Sequence, residues 1–312
     1  MERFRRLRGC GAACLLAALF GASLPTFAQS KWTLVAKIPH DNFYHATWTG
    51  KEVLATGYTL HASADGLRWK QRIRVRGSIL GAAFNGHRYV AVGGDERAAV
   101  WISEDANNWR KVPMNIRNKE WWALWSVTWA DTQFVAVGTG GLVLTSPNGE
   151  IWTPRTTNYV NSMNSVIWAD TQLVAAGQDG IIISKDGVEW TVPENGRVVY
   201  GPSSVIWTGT RFVAVGGRGL VMTSTDARHW DVQSIGQDYG MNSVVWTGRQ
   251  CVAVGNDGSV YTSLDGEVWT VGASGFKSHL ESVVWTGKRL VAVGYNGVII
   301  TANEDIPKGE AK

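Results

Sequence analysis

The stretch SLDGEVWT, residues 263–270, combines a hydroxyl, a carboxylate, a glycine turn and a tryptophan. A hydroxyl beside a carboxylate can serve nucleophilic catalysis, and an aspartate on a glycine turn can bind a metal ion. The pattern recurs along the chain as SADGLRW from Ser63, SEDANNW from Ser103, SPNGEIW from Ser146, SKDGVEW from Ser184 and STDARHW from Ser224. An active site needs such a group once, whereas a turn is needed in every repeat.

The recurrence therefore favours architecture over catalysis or metal binding. Asp or Asn at the third position can accept hydrogen bonds from the backbone two residues on, and Gly tolerates the positive φ of a tight turn. The serine offers a further local hydrogen bond, and the tryptophan packs the turn against the strands. The pattern predicts turns that join two strands at Asp65, Asp105, Asn148, Asp186, Asp226 and Asp265.

Other signals for chemistry are weak. The histidines show no H-E-x-x-H spacing, and the chain has neither a Walker phosphate loop nor a G-x-S-x-G nucleophile motif. His40, Asp41 and His45 could meet as metal ligands, although polar loop residues would account for them equally well. The sequence therefore predicts no metal site and no cofactor.

The N-terminal residues have the composition of a secretory signal. Four arginines in the first eight residues precede an apolar stretch from Cys10 to Leu24, and small residues lead to Ala28. This pattern predicts a cleaved signal peptide over residues 1–28 and a periplasmic or secreted bacterial protein. The apolar stretch is short for a membrane span and no later segment is long enough, so no transmembrane segment is expected in the mature chain.

Charge and cysteine content narrow the range of partners. The net charge of +4 includes four arginines and one glutamate of the signal region, so the remaining chain is nearly neutral. A neutral body has no general attraction for nucleic acid, and nucleic acid is not expected as a partner. Outside the signal region Cys251 stands alone, which leaves no internal disulfide, and its apolar neighbours in QCVAVG predict a buried, unreactive thiol.

Internal repeats predict the fold. One aromatic position marks seven units, and the steps between successive markers are 36, 45, 39, 39, 39 and 39 residues. The markers are Trp48, Phe84, Trp129, Trp168, Trp207, Trp246 and Trp285. Each unit has four short β-branched runs bounded by turn residues, and four-stranded units of about 40 residues are typical of propeller blades. A small residue recurs in the second run of every unit, where it suits close packing of blades: Ala55, Ala91, Ala136, Ala175, Ala214, Ala253 and Ala292.

The two ends of the chain complement each other. The last unit stops near residue 305 without a fourth strand, whereas KWTLV at residues 31–35 is a fourth strand with no unit before it. The first strand can therefore complete the last blade and close the ring, which removes open sheet edges. We predict an all-β, seven-bladed propeller of four-stranded antiparallel blades over residues 29–305, followed by a short tail over residues 306–312.

The S-x-D-G-x-x-W turns and the W-T-G-x-x-x-V-A-V-G strands resemble the BNR/Asp-box propeller superfamily, and more narrowly the photosystem II assembly and stability factor-like propellers. The resemblance extends over nearly all of the chain after residue 28. The turns are one residue shorter than the S-x-D-x-G-x-x-W form typical of sialidases. The resemblance implies a propeller and an assembly factor, but propellers host many functions, so the site must be sought where the units differ.

Aromatic residues near the linkers between blades are the main candidates for a partner site. The residue four before each marker enters the innermost strand, and around the ring it reads Tyr44, Leu80, Trp125, Asn164, Ser203, Asn242 and Glu281. The linker between blades 2 and 3 is the longest and adds Trp121 and Trp122. Rigid aromatic area beside polar groups is common at recognition sites, so we predict a binding surface of Tyr44, Trp121, Trp122 and Trp125. The alternative is that the tryptophans fold inward and fill a gap between blades.

A basic stretch, RWKQRIRVRGS from Arg68, is the second candidate. Its cations alternate with other residues, so on a regular strand they would share one face. Together with cations of the next blade, this face would attract an acidic partner protein, an anionic glycan or lipid headgroups. The predicted residues of this basic binding surface are Arg72, Arg74, Arg76, Arg117 and Lys119. The alternative is that they protect an exposed outer strand from pairing with other sheets.

The expected function is that of an exported, monomeric scaffold that binds a protein partner, as an assembly or stability factor of an envelope complex. The alternative is glycan binding or sialidase-like hydrolysis on the same face. Sialidases hold a carboxylate with three arginines, one from a Phe/Tyr-Arg-Ile-Pro motif, and the nearest match here is AKIP at residues 36–39. Lysine cannot provide the bidentate fork of arginine. Arg197, Arg218, Tyr239 and Glu281 could share the loop face, but any propeller offers such scatter, so no enzyme is predicted.

Overall fold

The computed structural model describes residues 31–94, 96–114, 122–236 and 240–303. These residues form seven antiparallel sheets in a closed ring and contain no α-helix, which confirms the predicted seven-bladed propeller. Within the same ranges no helix is long and apolar enough to cross a membrane. The segments and candidate residues that lie outside the described ranges are residues 1–28 and 306–312, Arg117, Lys119, Trp121 and Tyr239.

In each blade the chain passes from the innermost strand outward, and then enters the next blade. The first strand along the chain is β1 (Thr33–Lys37). Blade 1 contains β2 (Phe43–Trp48), β3 (Val53–Gly57), β4 (Thr59–Ser63) and β5 (Lys70–Arg74), and blade 2 contains β6 (Ser78–Phe84), β7 (Tyr89–Gly94), β8 (Ala98–Ser103) and β9 (Arg110–Lys111). Blade 3 contains β10 (Leu124–Ala130), β11 (Gln133–Gly138), β12 (Val143–Ser146) and β13 (Thr153–Arg155), and blade 4 contains β14 (Met163–Ala169), β15 (Gln172–Gly177) and β16 (Gly180–Ser184). Blade 5 contains β17 (Pro202–Trp207), β18 (Phe212–Gly216), β19 (Leu220–Ser224) and β20 (Asp231–Ser234), and blade 6 contains β21 (Met241–Trp246), β22 (Cys251–Gly255), β23 (Ser259–Ser263) and β24 (Thr270–Ala273). Blade 7 contains β25 (Leu280–Trp285), β26 (Arg289–Gly294) and β27 (Val298–Asn303).

The N-terminal strand completes blade 7, as predicted. β1 pairs antiparallel with β27, with Thr33 opposite Thr301 and Lys37 opposite Val298. The sheet order is β1-β27-β26-β25, so β1 takes the outer position that the last unit does not supply. The ring is therefore closed by pairing between the two ends of the described chain.

Blade 4 departs from the prediction because it has three strands. Its third strand, β16, pairs regularly with β15, but its outer edge meets only isolated bridges: Ile183 pairs with Thr191, and Gly180 pairs with Arg197. Between those bridges the chain leaves the sheet at Pro193, which has no amide hydrogen to donate to a ladder. The segment from Thr191 to Arg197 covers the edge of β16 without forming a regular fourth strand.

The hydrophobic core is divided among the gaps between blades. Seven clusters of buried side chains each draw on two neighbouring blades. The alanines predicted in the second strand have no exposed surface, as close packing of blades requires: Ala55, Ala91, Ala136, Ala175, Ala214, Ala253 and Ala292. Cys251 is also fully buried in the gap between blades 5 and 6, and burial raises the pKa of its thiol to about 12.

Serines of the S-V-x-W strands connect neighbouring inner strands. The Ser126 hydroxyl accepts a hydrogen bond from the backbone of Val166 at 3.2 Å, and the Ser243 hydroxyl accepts one from Val283 at 3.3 Å. In blade 2 the corresponding residue is Gly81, and a Cβ there would lie 3.0 Å from the Trp125 carbonyl oxygen of blade 3. The inner strands thus approach closely enough that this position holds either a small residue or a residue that bonds across the gap.

The S-x-D-G turns, called Asp turns below, are held by their own side chains. In the turn of blade 6, Asp265 Oδ1 accepts hydrogen bonds from the backbone of Glu267 at 2.8 Å and Val268 at 2.9 Å, and from the Ser263 hydroxyl at 2.9 Å. The Trp269 indole donates to the Gly266 carbonyl at 3.0 Å. The side-chain oxygen makes the same pair of backbone contacts at Asp65, Asp105, Asn148, Asp186 and Asp226.

The Asp turns also connect blades, which the sequence analysis did not anticipate. A side chain at the start of the second strand donates to the backbone carbonyl of the Asp position in the next blade. Gln133 reaches Asp186 at 2.7 Å, and Gln172 reaches Asp226 at 3.1 Å. Two further pairs are Arg88 with Asn148 and Arg211 with Asp265. Each of these turns therefore anchors two blades.

Asp turns should make the propeller sensitive to acid. Backbone hydrogen bonds from Asn108 and Asn107 hold the pKa of Asp105 well below its usual range. A depressed folded pKa stabilises the fold above the unfolded value, about 3.9, and the stabilisation is lost as pH falls below it. Blade 3 carries Asn148 at this position, and that residue cannot titrate. We expect Asp105→Asn to melt below the wild type at pH 7, where the ionised carboxylate stabilises the turn, and to lose less melting temperature between pH 7 and pH 3. Equal losses would contradict this prediction.

Candidate functional site

The two ends of the ring have different structures. We call the end where the innermost strands begin the entry face; it is formed by the linkers between blades and by the turns between second and third strands. The opposite end, which carries the Asp turns, is the turn face. On the entry face, four of the described turns between second and third strands are 3-10 turns whose central residue has positive φ: Gly140, Arg218, Asp257 and Asn296.

Every innermost strand has a β-bulge at its start on the entry face. The extra residues of the seven bulges are the positions singled out in the sequence: Tyr44, Leu80, Trp125, Asn164, Ser203, Asn242 and Glu281. A bulge takes its extra residue out of the ladder and redirects its side chain. In two cases the side chain bonds to the next blade: Asn242 Nδ2 donates to the Leu280 carbonyl at 3.0 Å, and Asn164 Nδ2 donates to the Pro202 carbonyl at 3.4 Å. The bulge ring is therefore a set of structurally equivalent positions with different chemistry in each blade.

Among the residues that the structure describes, the exposed Phe, Tyr and Trp side chains lie on the entry face. Across the described residues four such side chains are exposed, with fractions of 37 to 50%: Tyr58, Trp125, Tyr200 and Tyr295. Tyr58 and Tyr295 lie in turns between second and third strands, Tyr200 in the linker from blade 4 to blade 5. The repeated tryptophans of the strands and Asp turns are buried or half-buried.

Tyrosines of blades 7 and 1 form one cluster, which we call the tyrosine cluster: Tyr44, Tyr58, Tyr295 and His279. The ring of Tyr44 meets that of Tyr58 edge to face at 6.0 Å between centroids, and that of Tyr295 at 6.3 Å. The Tyr44 hydroxyl donates to the Tyr58 hydroxyl at 3.1 Å. His279 lies 5.7 Å from Tyr295 in the same edge-to-face manner. Burial raises the pKa of Tyr44, so its phenol stays neutral at physiological pH.

Polar groups border this cluster on the blade 6 side. His279 Nδ1 lies 3.2 Å from Asn256 Oδ1, and Asn242 Nδ2 lies 3.4 Å from the same oxygen. Glu281, the bulge residue of blade 7, is half-buried, and this burial raises the pKa of its carboxyl while His279 acts in the opposite sense. On the blade 1 side, a cavity of about 400 Å³ opens beside Tyr58 and Asn296.

The predicted aromatic surface is divided between two places. Tyr44 belongs to the tyrosine cluster, whereas Trp125 lies in blade 3, where its indole donates to Thr139 Oγ1 at 3.1 Å and its side chain is 40% exposed. Trp122 packs against the core between blades 2 and 3, and a Cβ on Gly140 would lie 3.1 Å from its ring. The inward-packing alternative therefore describes Trp122, and Trp121 lies outside the described residues.

The basic stretch of blade 1 does not form one cationic face. A bulge in β5 leaves Arg72 unpaired between Gln71 and Ile73, which interrupts the alternation of side chains. The Arg72 side chain is only 17% exposed and lies 3.4 Å from Glu52. Arg74 remains exposed, and Arg76 lies 2.9 Å from Glu96. The prediction of a shared face was wrong because it assumed a regular strand.

The possible metal ligands near the start of blade 1 have other roles. Asp41 is 2% exposed, and its carboxylate accepts hydrogen bonds from the backbone of Asn42 at 2.9 Å and Tyr58 at 3.0 Å, and from the Thr59 hydroxyl. Burial lowers the pKa of His45 to about 4. Throughout the described ranges no group of three His, Cys, Asp or Glu side chains could hold a metal ion.

The residues considered for hydrolysis are spread over the ring. Arg197 lies 3.2 Å from Asp179, and the Arg218 guanidinium lies 4.1 Å from the centre of the Tyr200 ring. Both arginines belong to the blade 4 and blade 5 side, whereas Glu281 belongs to blade 7. Tyr239 lies outside the described residues. Arg197 thus pairs within blade 4, and Arg218 contacts the linker that enters its own blade.

Sequence reasoning missed Tyr58, Tyr295 and His279. A usable signal was present, because the residue that directly follows the second strand differs between units and is tyrosine in blades 1 and 7. Comparison of that turn position would have identified Tyr58 and Tyr295. The contact of Tyr44 with Tyr58 lies within blade 1, whereas its contact with Tyr295 of blade 7 could not be read from one unit, since it depends on closure of the ring.

Comparisons with known proteins extend the description of the fold. No family model matches the chain, and no curated protein matches it. Among solved structures, YCF48 bound to D1 peptide is similar over 92% of this chain and 100% of that chain, at 13% identity and a TM-score of 0.70. YCF48 from Cyanidioschyzon merolae is similar over 89% of this chain and 100% of that chain, at 16% identity and a TM-score of 0.69. At these identities the chain shares the propeller fold of YCF48.

Proposed function

We propose that this chain is a non-enzymatic propeller scaffold whose entry face binds a segment of a protein partner. The observation that carries the proposal is the placement of all exposed Phe, Tyr and Trp side chains of the described ranges on that face: Tyr58, Trp125, Tyr200 and Tyr295. Aromatic side chains provide large contact area at low entropic cost and dominate binding energy at interfaces.

The architecture suits such a role. The bulge residues and the turns beside them belong to β-sheets of a closed ring, so their backbone is already ordered before binding. Such preorganisation lowers the entropic cost of binding and raises affinity. Asn242 and Asn256 offer amide groups beside the aromatic rings, and a peptide backbone can use both donors and acceptors of this kind. The similar propeller YCF48 is bound to a D1 peptide, which supports a peptide segment as ligand here.

The proposal includes a cellular location and a cellular role for the scaffold. Residues 1–28 act as a secretory signal, the propeller over residues 29–305 works in the periplasm or outside the cell, and residues 306–312 form a tail. The short Asp turns, with their side-chain hydrogen bonds to the following backbone, support membership of the BNR/Asp-box superfamily. In this setting the scaffold serves as an assembly or stability factor for an envelope complex and works as a monomer. Arg74 and Arg76 are exposed on blade 1 and could add attraction for an acidic part of the partner.

Affinity capture from crosslinked envelope fractions tests the proposal. We expect Trp125→Ala/Tyr58→Ala to lose a captured protein that the wild type retains, and to weaken its binding after purification at least about tenfold. The matched control is Ile151→Ala/Val268→Ala, which removes apolar side chains of the turn face that are 70% and 75% exposed. Equal capture by all three proteins, or loss only in the control, would contradict binding at the entry face. Retention of a glycan in place of a protein would favour the glycan-binding alternative.

Trp122→Ala should behave differently from Trp125→Ala. Trp122 packs against the core between blades 2 and 3, so its removal should lower the free energy of unfolding by about 2 kcal/mol or more. Trp125 is exposed, so its removal should leave the urea midpoint almost unchanged. Equal midpoints for the two variants would mean that Trp122 does not support the core.

A further inference from the structure

Glu281 carries a carboxylate for which the described residues provide no hydrogen bond, although His279 acts on its charge. It is half-buried at the start of β25 on the entry face, and no hydrogen bond or ion pair to its carboxylate occurs among the described residues. Carboxylates that lose solvent are normally compensated by hydrogen bonds or by a cation. The Glu281 oxygens are not among the fully buried, unsatisfied side-chain atoms of the described residues, so a cation from another molecule can reach them.

Aromatic rings stand beside this carboxylate. Leu280 pairs with Gly294 across β25 and β26, so the residues that follow them, Glu281 and Tyr295, lie at the same end of blade 7. In agreement, the negative charge of Glu281 is the main cause of the raised pKa of Tyr295. Tyr295 packs edge to face on Tyr44, and Tyr44 on Tyr58. Tyr58 and Tyr295 are 37% and 38% exposed, so their rings are accessible to a ligand at the entry face.

A carboxylate beside several tyrosine rings favours a cationic ligand. The faces of aromatic rings attract ammonium and guanidinium groups, and a nearby carboxylate adds direct charge attraction. On the other side of the ring the molecule uses the same chemistry internally, because Arg218 covers the face of Tyr200 at 4.1 Å. Over Tyr58 and Tyr295 no cation of the described chain is found.

We propose that Glu281, Tyr295, Tyr44 and Tyr58 form a site for a lysine or arginine side chain of the bound polypeptide. This inference rests on the proposed function and specifies the chemistry of its ligand. The cation enters beside Glu281, pairs with the carboxylate and lies against the tyrosine rings. The bulges of β2 and β25 bring Tyr44 and Glu281 to the same rim, because these innermost strands are neighbours in the closed ring.

The test uses two synthetic peptides that differ in one group. One carries arginine in a neutral Gly/Ser background, and the other carries citrulline, which has nearly the same shape and no charge. Binding to the full-length chain is followed by nuclear magnetic resonance titration. We expect the arginine peptide to bind about tenfold more tightly than the citrulline peptide, and Glu281→Gln to abolish this difference. Glu189→Gln is the matched control, because Glu189 is an exposed glutamate of the turn face in blade 4.

Thermal melting distinguishes a binding role from a structural one. Because the Glu281 carboxylate accepts no hydrogen bond within the described chain, Glu281→Gln should melt at the wild-type temperature or above it. A clear decrease would show that the carboxylate is paired internally and would overturn the proposal. Equal binding of both peptides by the wild type, or no binding of either, would also overturn it. A captured protein that depends on Trp125 and Tyr58 but not on Glu281 would leave the proposed function intact and refute this site alone.

Discussion

Replacing Trp32 with alanine should lower the free energy of unfolding by about 3–5 kcal/mol. Trp32 is 5% exposed and packs in the core between blades 6 and 7, directly before the strand that closes the ring. Single domains are stable by only about 5–15 kcal/mol, so this one change should remove a large share of the total. The loss should appear as a lower urea midpoint with an unchanged slope.

The control for this prediction comes from the same strand. Leu34 is 44% exposed on β1, and Leu34→Ala should lower the midpoint only slightly. A chain that begins at Pro39 removes the strand entirely, exposes the edge of β27 and should aggregate or fail to fold. If Trp32→Ala and Leu34→Ala were equally stable, the N-terminal strand would contribute pairing but no core packing.

Gly258→Ala should destabilise the propeller by about 3 kcal/mol. Gly258 has a φ of +72°, and a Cβ there would lie 1.7 Å from the Phe276 carbonyl oxygen. That oxygen belongs to the linker toward blade 7, and the linker is held in place because the Ser274 amide donates to the Gly258 carbonyl at 2.8 Å. Neither backbone can retreat without losing this contact, so the variant is both strained and overpacked.

Gly248→Ala is the control that measures the backbone strain of a positive φ without a steric clash. Gly248 has a φ of +89° and nothing within 4 Å of the Cβ position, so its substitution should cost only the conformational strain of about 1 kcal/mol. Urea denaturation of the two variants measures the difference directly. Equal losses would show that the linker moves aside, and that positive φ alone explains the requirement for glycine.

The repeats made most of the fold predictable. Turn residues, alternating strands and a spacing of 39 residues in four of the six steps recur often enough that each unit supports the assignment of the others. The Asp turns carry their hydrogen-bond partners within a few residues, so their geometry follows from local sequence. Closure by β1 was also predictable, because a surplus strand at one end matched a missing strand at the other.

Departures from the repeat were harder to predict. In blade 4 the interruption at Pro193 was readable in principle, since proline disrupts a ladder, yet the neighbouring blades suggested a full strand. The bulge at Arg72 left no sequence signal of its own, because the alternation of cations looks regular. Bulges arise from how a strand pairs with its neighbour, and strict alternation along one strand cannot reveal them.

The sequence by itself determined the seven blades, their turns, the alanine positions in the core and the ring of positions at which the blades differ. Only the tertiary structure decided which of those differing side chains meet. Tyr44 and Tyr295 stand near opposite ends of the chain, and they come within 6.3 Å because pairing of β1 with β27 joins blades 7 and 1. Local interactions specify each blade, whereas contacts across the closure depend on the shape of the whole ring.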